Sequence, residues 1–147
     1  MSDVNYSSQL QCVLMHAYDT AEKLNHNCVA TEHLLIGIMK IQGSRLSEYL
    51  VKKGITVNLL MNDLQVLFGF GSEVQSKVVM TSTVYKILRK AETESLKKHL
   101  QEVSLDDVVC ALLESENNVA QELLRRRGIF MNELICELNG PFYEFAA

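Results

Sequence analysis

The chain contains few residues that interrupt helices: its 147 residues include one proline, Pro141, and seven glycines. Apolar residues recur at spacings of three and four along most of the sequence, which is the period of an amphipathic helix. The sequence therefore predicts an all-α fold. Because 48% of the residues are apolar, the chain is long enough for one compact domain that buries roughly two-thirds of its unfolded surface.

Positive charge and long apolar runs are also scarce. The net charge of -4 and the pI near 5.6 argue against the basic face that nucleic-acid binding requires, so we expect no nucleic-acid partner and favour cationic partners. No apolar run approaches the length of about 18 residues that a membrane span needs, and the first residues do not resemble a signal peptide. We therefore expect no membrane contact and a cytoplasmic location.

The motifs of common metal sites and enzymes are missing as well. The four cysteines lie far apart with neither a CxxC pair nor a zinc-like Cys/His spacing, so we expect reduced thiols, mostly in the core, and no metal; they are Cys12, Cys28, Cys110 and Cys136. His33 is expected to be a hydrogen-bonded structural residue, whereas His26 has no partner at a recognisable spacing. Without a GxxxxGK[ST] loop or a nucleophile motif, we expect neither catalysis nor a cofactor.

What the sequence does contain is an internal repeat, because the two halves align without a gap at an offset of about 74 residues. The offset pairs residues of the same or similar type: Ser7 with Thr81, Glu32 with Asp106, Gly37 with Ala111, and Gly54 with Gly128. Repeat one is predicted over about 6–68 and repeat two over about 80–138, with a linker at about 69–79 and a tail at 139–147. Since the linker is short, the repeats are expected to pack as one pseudo-symmetric domain over 1–147.

Each repeat is predicted to form four helices. In repeat one they begin at Ser7 or Ser8, at Thr31, at Ser44 and near Val57, and the last ends near Phe68. In repeat two they begin at Thr81 or Ser82, at Ser104 with Asp107 in capping-box spacing, after Asn117-Asn118, and near Met131, and the last ends near Leu138. Gly54 and Gly128 follow helix ends, where a left-handed conformation is expected.

One segment carries a family resemblance. Residues 25–39 read NHNCVATEHLLIGIM, in which Thr-Glu-His-Leu-Leu follows an Asn-His turn. This segment resembles the N-terminal domain of Clp-family AAA+ unfoldases, particularly the ClpC type. The likeness covers both repeats, but repeat two has Leu105-Asp106-Asp107 where Thr-Glu-His is typical of the family.

The resemblance implies a domain that docks protein substrates and adaptor proteins above a Clp ATPase ring, and that is monomeric when isolated. In ClpC-type members it implies a receptor for phosphoarginine, a degradation mark on proteins, with one pocket in each repeat. Carried over by position, Ser7 and Glu32 line the first pocket, and Thr81 and Asp106 line the second.

The residue types suit such a ligand, but a simpler interpretation stands beside it. Glu32, expected to be exposed in the first helical turn after a Thr31 cap, offers a carboxylate to guanidinium donors, while Ser7 and backbone N–H groups offer donors to a phosphoryl group. Alternatively, Glu32 and Asp106 only complement the helix dipole, and Ser7 and Thr81 only cap helices.

The role of the whole protein has an alternative too. The same fold is compatible with a free-standing Clp-N-like adaptor or regulator that has no ATPase module. A Walker motif encoded downstream of Ala147 would distinguish an unfoldase from such a protein.

Overall fold

The computed structural model describes residues 5–41, 43–69, 78–116 and 118–146, with side chains through Leu138. Helices dominate these residues, as the apolar spacing predicts. In repeat one they are α1 (Ser8–Lys23), α2 (Thr31–Met39), α3 (Arg45–Lys52) and α4 (Val57–Phe68); in repeat two they are α5 (Ser82–Lys97), α6 (Leu105–Glu114), α7 (Val119–Arg126) and α8 (Met131–Ala146). The predicted series of four helices in each repeat is confirmed.

Among the residues that the structure describes, four two-residue strands join the repeats, and the sequence did not predict them. They are β1 (Asn5–Tyr6), β2 (Cys28–Val29), β3 (Val79–Met80) and β4 (Glu102–Val103). β1 pairs in parallel with β4, and β2 pairs in parallel with β3. Each strand therefore pairs with a strand of the other repeat, and the two pairs are related by the internal offset. This crosswise pairing holds the halves together and fixes which helix starts become neighbours.

Most helices begin at the capping residues that the sequence indicates. The side chains of Ser7, Ser44, Thr81 and Ser104 each accept a backbone N–H from the residue three positions later. Such caps satisfy donors that would otherwise be unpaired in the first helical turn. Gly54 and Gly128 adopt φ values of 82° and 83° after α3 and α7, as predicted.

The predicted cap of α2 is wrong. The N-cap is Ala30, whose backbone N–H donates to Nδ1 of His33 at 2.9 Å. Thr31 is instead the first helical residue, and its hydroxyl oxygen accepts the backbone N–H of Ala120 at 3.2 Å. This bond joins α2 to α7 of the other repeat, so the Thr31 hydroxyl links the two repeats instead of capping its own helix.

α2 is the central helix of the fold, because all of its nine residues are buried. It contacts α1, α3 and α4 of its own repeat and α5 and α7 of the other. Apolar side chains accordingly lie on every side of it, as expected for a helix without a solvent face. The polar residues in its first turn are therefore held at the junction of the repeats.

Two further expectations differ from the structure. The cysteines are not mostly in the core: Cys12, Cys110 and Cys136 are exposed and Cys28 is half-buried. Cys12 and Cys110 are sequence neighbours of core residues, but successive side chains on a helix point about 100° apart, so they face solvent.

The last helix also continues beyond the predicted end near Leu138, as far as Ala146. Pro141 lies inside it, and a proline within a helix removes one donor without necessarily ending the helix.

The predicted linker at about 69–79 lies mostly outside the described residues. Among the helices that are described, none combines the length and apolar character required to cross a bilayer.

Candidate functional site

A pocket of about 240 Å³ lies between the repeats and contains Glu32. We call it the Glu32 pocket. Its lining residues come from the first turns of three helices, from the end of α4 and from the turn before α7; they are Ala30, Thr31, Glu32, Phe68, Thr81, Thr83, Glu116, Asn118 and Val119. Residues of both repeats are required to form it.

Three helix N-termini meet at this pocket, because α2, α5 and α7 all begin among its lining residues. The first turn of a helix has backbone N–H groups without intrahelical partners, and the helix dipole places partial positive charge there. The backbone of the pocket therefore favours an anion. Its two carboxylates, Glu32 and Glu116, instead favour a cation.

Glu32 is buried, with only 7% of its surface exposed, so the expectation that it is exposed is wrong. The cause is the central position of α2, whose first turn lies against the other repeat. Oε1 of Glu32 is buried and has no hydrogen-bond partner among the residues that the structure describes. Burial raises the pKa of Glu32, and its own backbone N–H, His26 and Thr31 oppose that rise.

Of the two hydroxyl residues predicted for the sites, Thr81 and not Ser7 lines the pocket that contains Glu32. The backbone N–H of Thr81 donates to the carbonyl of Val29 at 3.0 Å, which places Thr81 beside the segment leading into α2. Ser7 makes the equivalent bond to the carbonyl of Val103, at 3.1 Å, in repeat two. The predicted pairing of Ser7 with Glu32 within one repeat is therefore wrong, because the strands pair crosswise.

Both hydroxyl residues also cap helices, as the simpler interpretation expected. Oγ1 of Thr81 accepts the backbone N–H of Val84 at 3.3 Å, and Oγ of Ser7 accepts that of Leu10 at 3.2 Å. Capping uses one lone pair of the hydroxyl oxygen and leaves its hydrogen able to donate. Thr81 can therefore cap α5 and donate a hydrogen bond into the Glu32 pocket.

Asp106 occupies a different environment from Glu32. It is exposed and lines a separate pocket of about 160 Å³, together with the cationic residues Arg45 and Lys98. Thr81 does not line this pocket. Leu105 replaces Thr31 in repeat two, so the hydroxyl that links α2 to α7 has no counterpart there. The two sites that the repeat predicts are consequently unlike.

The neighbouring Asp107 is buried, and both of its carboxylate oxygens accept hydrogen bonds. Its carboxylate accepts hydrogen bonds from Ser95 at 2.7 Å, Ser104 at 3.0 Å and Lys98 at 2.5 Å. Burial alone would raise the pKa of Asp107, but these partners outweigh it and hold the pKa below its ordinary value. Asp107 therefore has a structural role and leaves no unpaired oxygen for a ligand.

His33, next to Glu32, belongs to a short chain of hydrogen bonds. Its Nδ1 accepts from Ala30, its Nε2 lies 2.8 Å from Nδ1 of His26, and Nε2 of His26 lies 2.9 Å from the carbonyl oxygen of Gly69. The structural role expected for His33 is confirmed. The sequence showed no recognisable partner spacing for His26, yet His33 is its partner, because the turn after α1 brings the two rings together across seven residues.

Comparison with known protein families identifies the class of protein. The chain belongs to the Clp repeat (R) N-terminal domain family, which matches residues 5–127. That family is a non-catalytic protein-interaction domain. The comparisons thus confirm the resemblance carried by the Thr31-Glu32-His33 segment.

Among curated proteins, the chain is similar to ClpC subunits of staphylococci. The chain is 30% identical over 114 residues to the ATP-dependent Clp protease ATP-binding subunit ClpC of Staphylococcus epidermidis, a match covering 78% of this chain and 14% of that protein. It is 29% identical to ClpC of Staphylococcus saprophyticus over the same length. The chain therefore spans about 14% of the length of these curated relatives.

Solved structures support the fold. The N-terminal domain of the chaperone ClpD from Arabidopsis thaliana has a TM-score of 0.75 at 18% identity, and the match covers 95% of each chain. The N-terminal domain of Hsp104 from Candida albicans has a TM-score of 0.75 at 13% identity, covering 92% of this chain and 89% of that chain.

Proposed function

We propose that this chain is a docking domain of a ClpC-type AAA+ unfoldase, acting in the cytoplasm, and that the Glu32 pocket receives phosphoarginine side chains of marked proteins. The observation that carries the proposal is the buried Oε1 of Glu32, which has no partner among the described residues. A buried carboxylate oxygen without a donor is costly to a folded protein, so its retention at a pocket points to a ligand that supplies the donor.

The ligand must satisfy two opposite preferences at once. The three helix starts favour an anion, whereas Glu32 and Glu116 favour cationic N–H donors. Inorganic phosphate would meet both carboxylates, and a simple guanidinium would leave the backbone donors unpaired. A phosphorylated guanidinium carries both groups on one side chain: its N–H donors face Glu32, while its phosphoryl oxygens accept from backbone N–H groups and from Thr81.

The second predicted site, at Asp106, is a weaker candidate, because neither Thr81 nor Ser7 lines the pocket that contains Asp106. Its acid is exposed, and Arg45 and Lys98 line the same pocket. An exposed carboxylate among cations gains less from a cationic ligand because water and neighbouring charges already stabilise it. We therefore assign the tighter phosphoarginine site to the Glu32 pocket.

Titration calorimetry with three ligands tests this assignment. We expect phosphoarginine to bind about tenfold or more tightly than either arginine or inorganic phosphate, because only it satisfies both halves of the pocket. Asp106→Asn serves as the matched control and should keep the tighter affinity. Equal binding of all three ligands, or no heat from phosphoarginine at millimolar concentration, would contradict the proposal.

A further inference from the structure

Hydrogen bonds run from the N–H of Ala30 through His33 and His26 to the carbonyl of Gly69. The groups at the two ends of this series determine which ring nitrogens carry protons. The backbone N–H of Ala30 can only donate, so Nδ1 of His33 must accept and the proton of His33 is on Nε2. That proton is donated to Nδ1 of His26, so the proton of His26 is also on Nε2 and is donated to the carbonyl of Gly69. Both rings are therefore neutral, and an additional proton has no acceptor.

The chain of bonds ends at one wall of the Glu32 pocket. Phe68, the last residue of α4, lines that pocket, and Gly69 follows it directly. Gly69 has a φ of 67°, and its N–H donates to the carbonyl of Gln65 at 2.8 Å. The bond from His26 to the Gly69 carbonyl thus fixes the backbone at the end of α4. Because Phe68 precedes Gly69 directly, the same bond helps to position Phe68.

We infer that His26 and His33 are positioning residues for the Glu32 pocket, which they keep in shape only while both rings are neutral. An extra proton would place two donors face to face, either between the rings or between His33 and Ala30. One bond of the chain would then break, and the Phe68 wall would lose its attachment. This inference rests on the proposed function of the pocket, since it concerns how that pocket is preformed.

The surroundings of the rings favour the neutral form of His33, which is 1% exposed. Burial and, to a smaller extent, the charge of His26 lower the pKa of His33 to about 4. This folded pKa lies below the ordinary value of 6.5. The hydrogen bonds of the two histidine rings therefore stabilise the fold fully above about pH 6.5. That contribution is lost as the pH falls towards about 4.

Within the part of the chain that the structure describes, few other charges face the pair from the elements packed around it. Glu32 on α2 interacts electrostatically with His26, and Cys28 on β2 interacts with Glu32. At the end of α1, Lys23 is paired with Asp19 at 3.0 Å. The last turn of α4, residues 65–68, has no titratable side chain. The electrostatic surroundings of the His33 ring are thus set mainly by His26 and Glu32.

Nitrogen-15 NMR of the imidazole rings tests the proton positions without any ligand. At pH 7.5 we expect both rings to be neutral with the hydrogen on Nε2. On acidification, the amide signals of Phe68, Gly69 and Thr81 should shift with the same midpoint as the imidazole signals. A hydrogen on Nδ1 of either ring at pH 7.5, or titrating rings with stationary signals at Gly69, would overturn the inference.

Two substitutions of His26 test its effect on the pocket at a fixed pH of about 7.5. In His26→Gln the side-chain amide can accept from His33 and donate to Gly69 without titrating, whereas His26→Phe fills the space without these bonds. We expect His26→Gln to keep the phosphoarginine affinity within about twofold and His26→Phe to lose about five- to tenfold. Equal affinities for the two variants would contradict a positioning role.

The two measurements separate this inference from the proposed function. If phosphoarginine does not bind but the proton positions and the linked shifts at Gly69 are as expected, the ligand assignment fails and the positioning role stands. If phosphoarginine binds and His26→Phe has no effect on its affinity, the proposed function stands and the positioning role fails.

Discussion

Replacing Gly37 with alanine is expected to destabilise the domain by about 2 to 3 kcal/mol, the upper part of the range for adding atoms to a packed interior. Gly37 lies in α2 where that helix crosses α1. A Cβ placed on Gly37 would lie 2.5 Å from the carbonyl oxygen of Val13 and 3.3 Å from the backbone nitrogen of Ala17. Both atoms belong to the α1 backbone, so relief requires the helices to separate. Urea denaturation of the variant measures the effect.

The expected sign is the reverse of the usual one. Within an unobstructed helix, alanine is more favourable than glycine by about 1 kcal/mol. Gly54→Ala provides a control, because no atom of the described residues lies within 4 Å of its added Cβ and only its φ of 82° opposes the change. That control should cost about 1 to 2 kcal/mol through backbone strain alone. A Gly37→Ala protein as stable as the wild type would contradict the close helix crossing.

Replacing Glu32 with glutamine is expected to weaken phosphoarginine binding by about tenfold to a hundredfold and to raise the thermal stability. A hydrogen bond to a charged group contributes about 1.5 to 3 kcal/mol, which corresponds to the loss of affinity. The stability gain arises because folding buries a carboxylate oxygen that has no partner among the described residues. Calorimetric titration and thermal unfolding of the same preparation measure the two effects.

The pH dependence of this stability gain follows from the direction of the pKa shift. Burial raises the pKa of Glu32 in the folded state, so the folded protein binds a proton more readily than the unfolded chain. Ionised Glu32 therefore costs stability at neutral pH, and that cost disappears as the pH falls below the ordinary range of a carboxyl group. The advantage of Glu32→Gln should be largest near pH 7 and fade in acid.

Asp106→Asn is the matched control, because Asp106 is the equivalent acid of repeat two and is exposed. It should change neither the melting temperature nor the tighter binding constant appreciably. If Glu32→Gln melted at a lower temperature and bound phosphoarginine as well as the wild type, Glu32 would be a structural residue and the pocket would need another ligand.

The helices of this protein could be predicted from its sequence because their determinants are local. The spacing of apolar residues identified α1 to α8, and hydroxyl side chains such as Ser44 and Ser104 marked helix starts. Cap and helix lie within one turn of each other, so no knowledge of the tertiary structure is required. α2 is the informative exception, because its start depends on His33 and on a contact of Thr31 with the other repeat.

The strands and the pairing of the site residues could not be predicted in the same way. A two-residue strand such as β2 or β3 is too short to show an alternating pattern. Yet the pairing of these strands places Thr81 beside the segment that leads to Glu32, and it places Ser7 beside Val103 of repeat two. The internal repeat correctly marked the equivalent residues, but equivalence between repeats does not state which of them meet in space.

Equivalence between the repeats also did not reveal their differences in packing. The offset aligned Gly37 with Ala111 as a conservative pair, but only the structure shows that α1 and α2 approach too closely for a methyl group at Gly37. It likewise aligned Glu32 with Asp106, although one is buried and the other exposed. Burial depends on how the helices of both repeats pack together, which a local pattern does not contain.

A proton–nitrogen NMR titration with phosphoarginine tests most directly whether the ligand binds between the repeats, because it identifies the backbone amides that respond. We predict that Glu32, Thr81 and Val119 shift together with one dissociation constant, because helix starts of both repeats form the pocket. Any response at Ser7 should occur separately, at higher ligand concentration. Joint shifts of Glu32 and Ser7 with no change at Thr81 would contradict a binding site between the repeats.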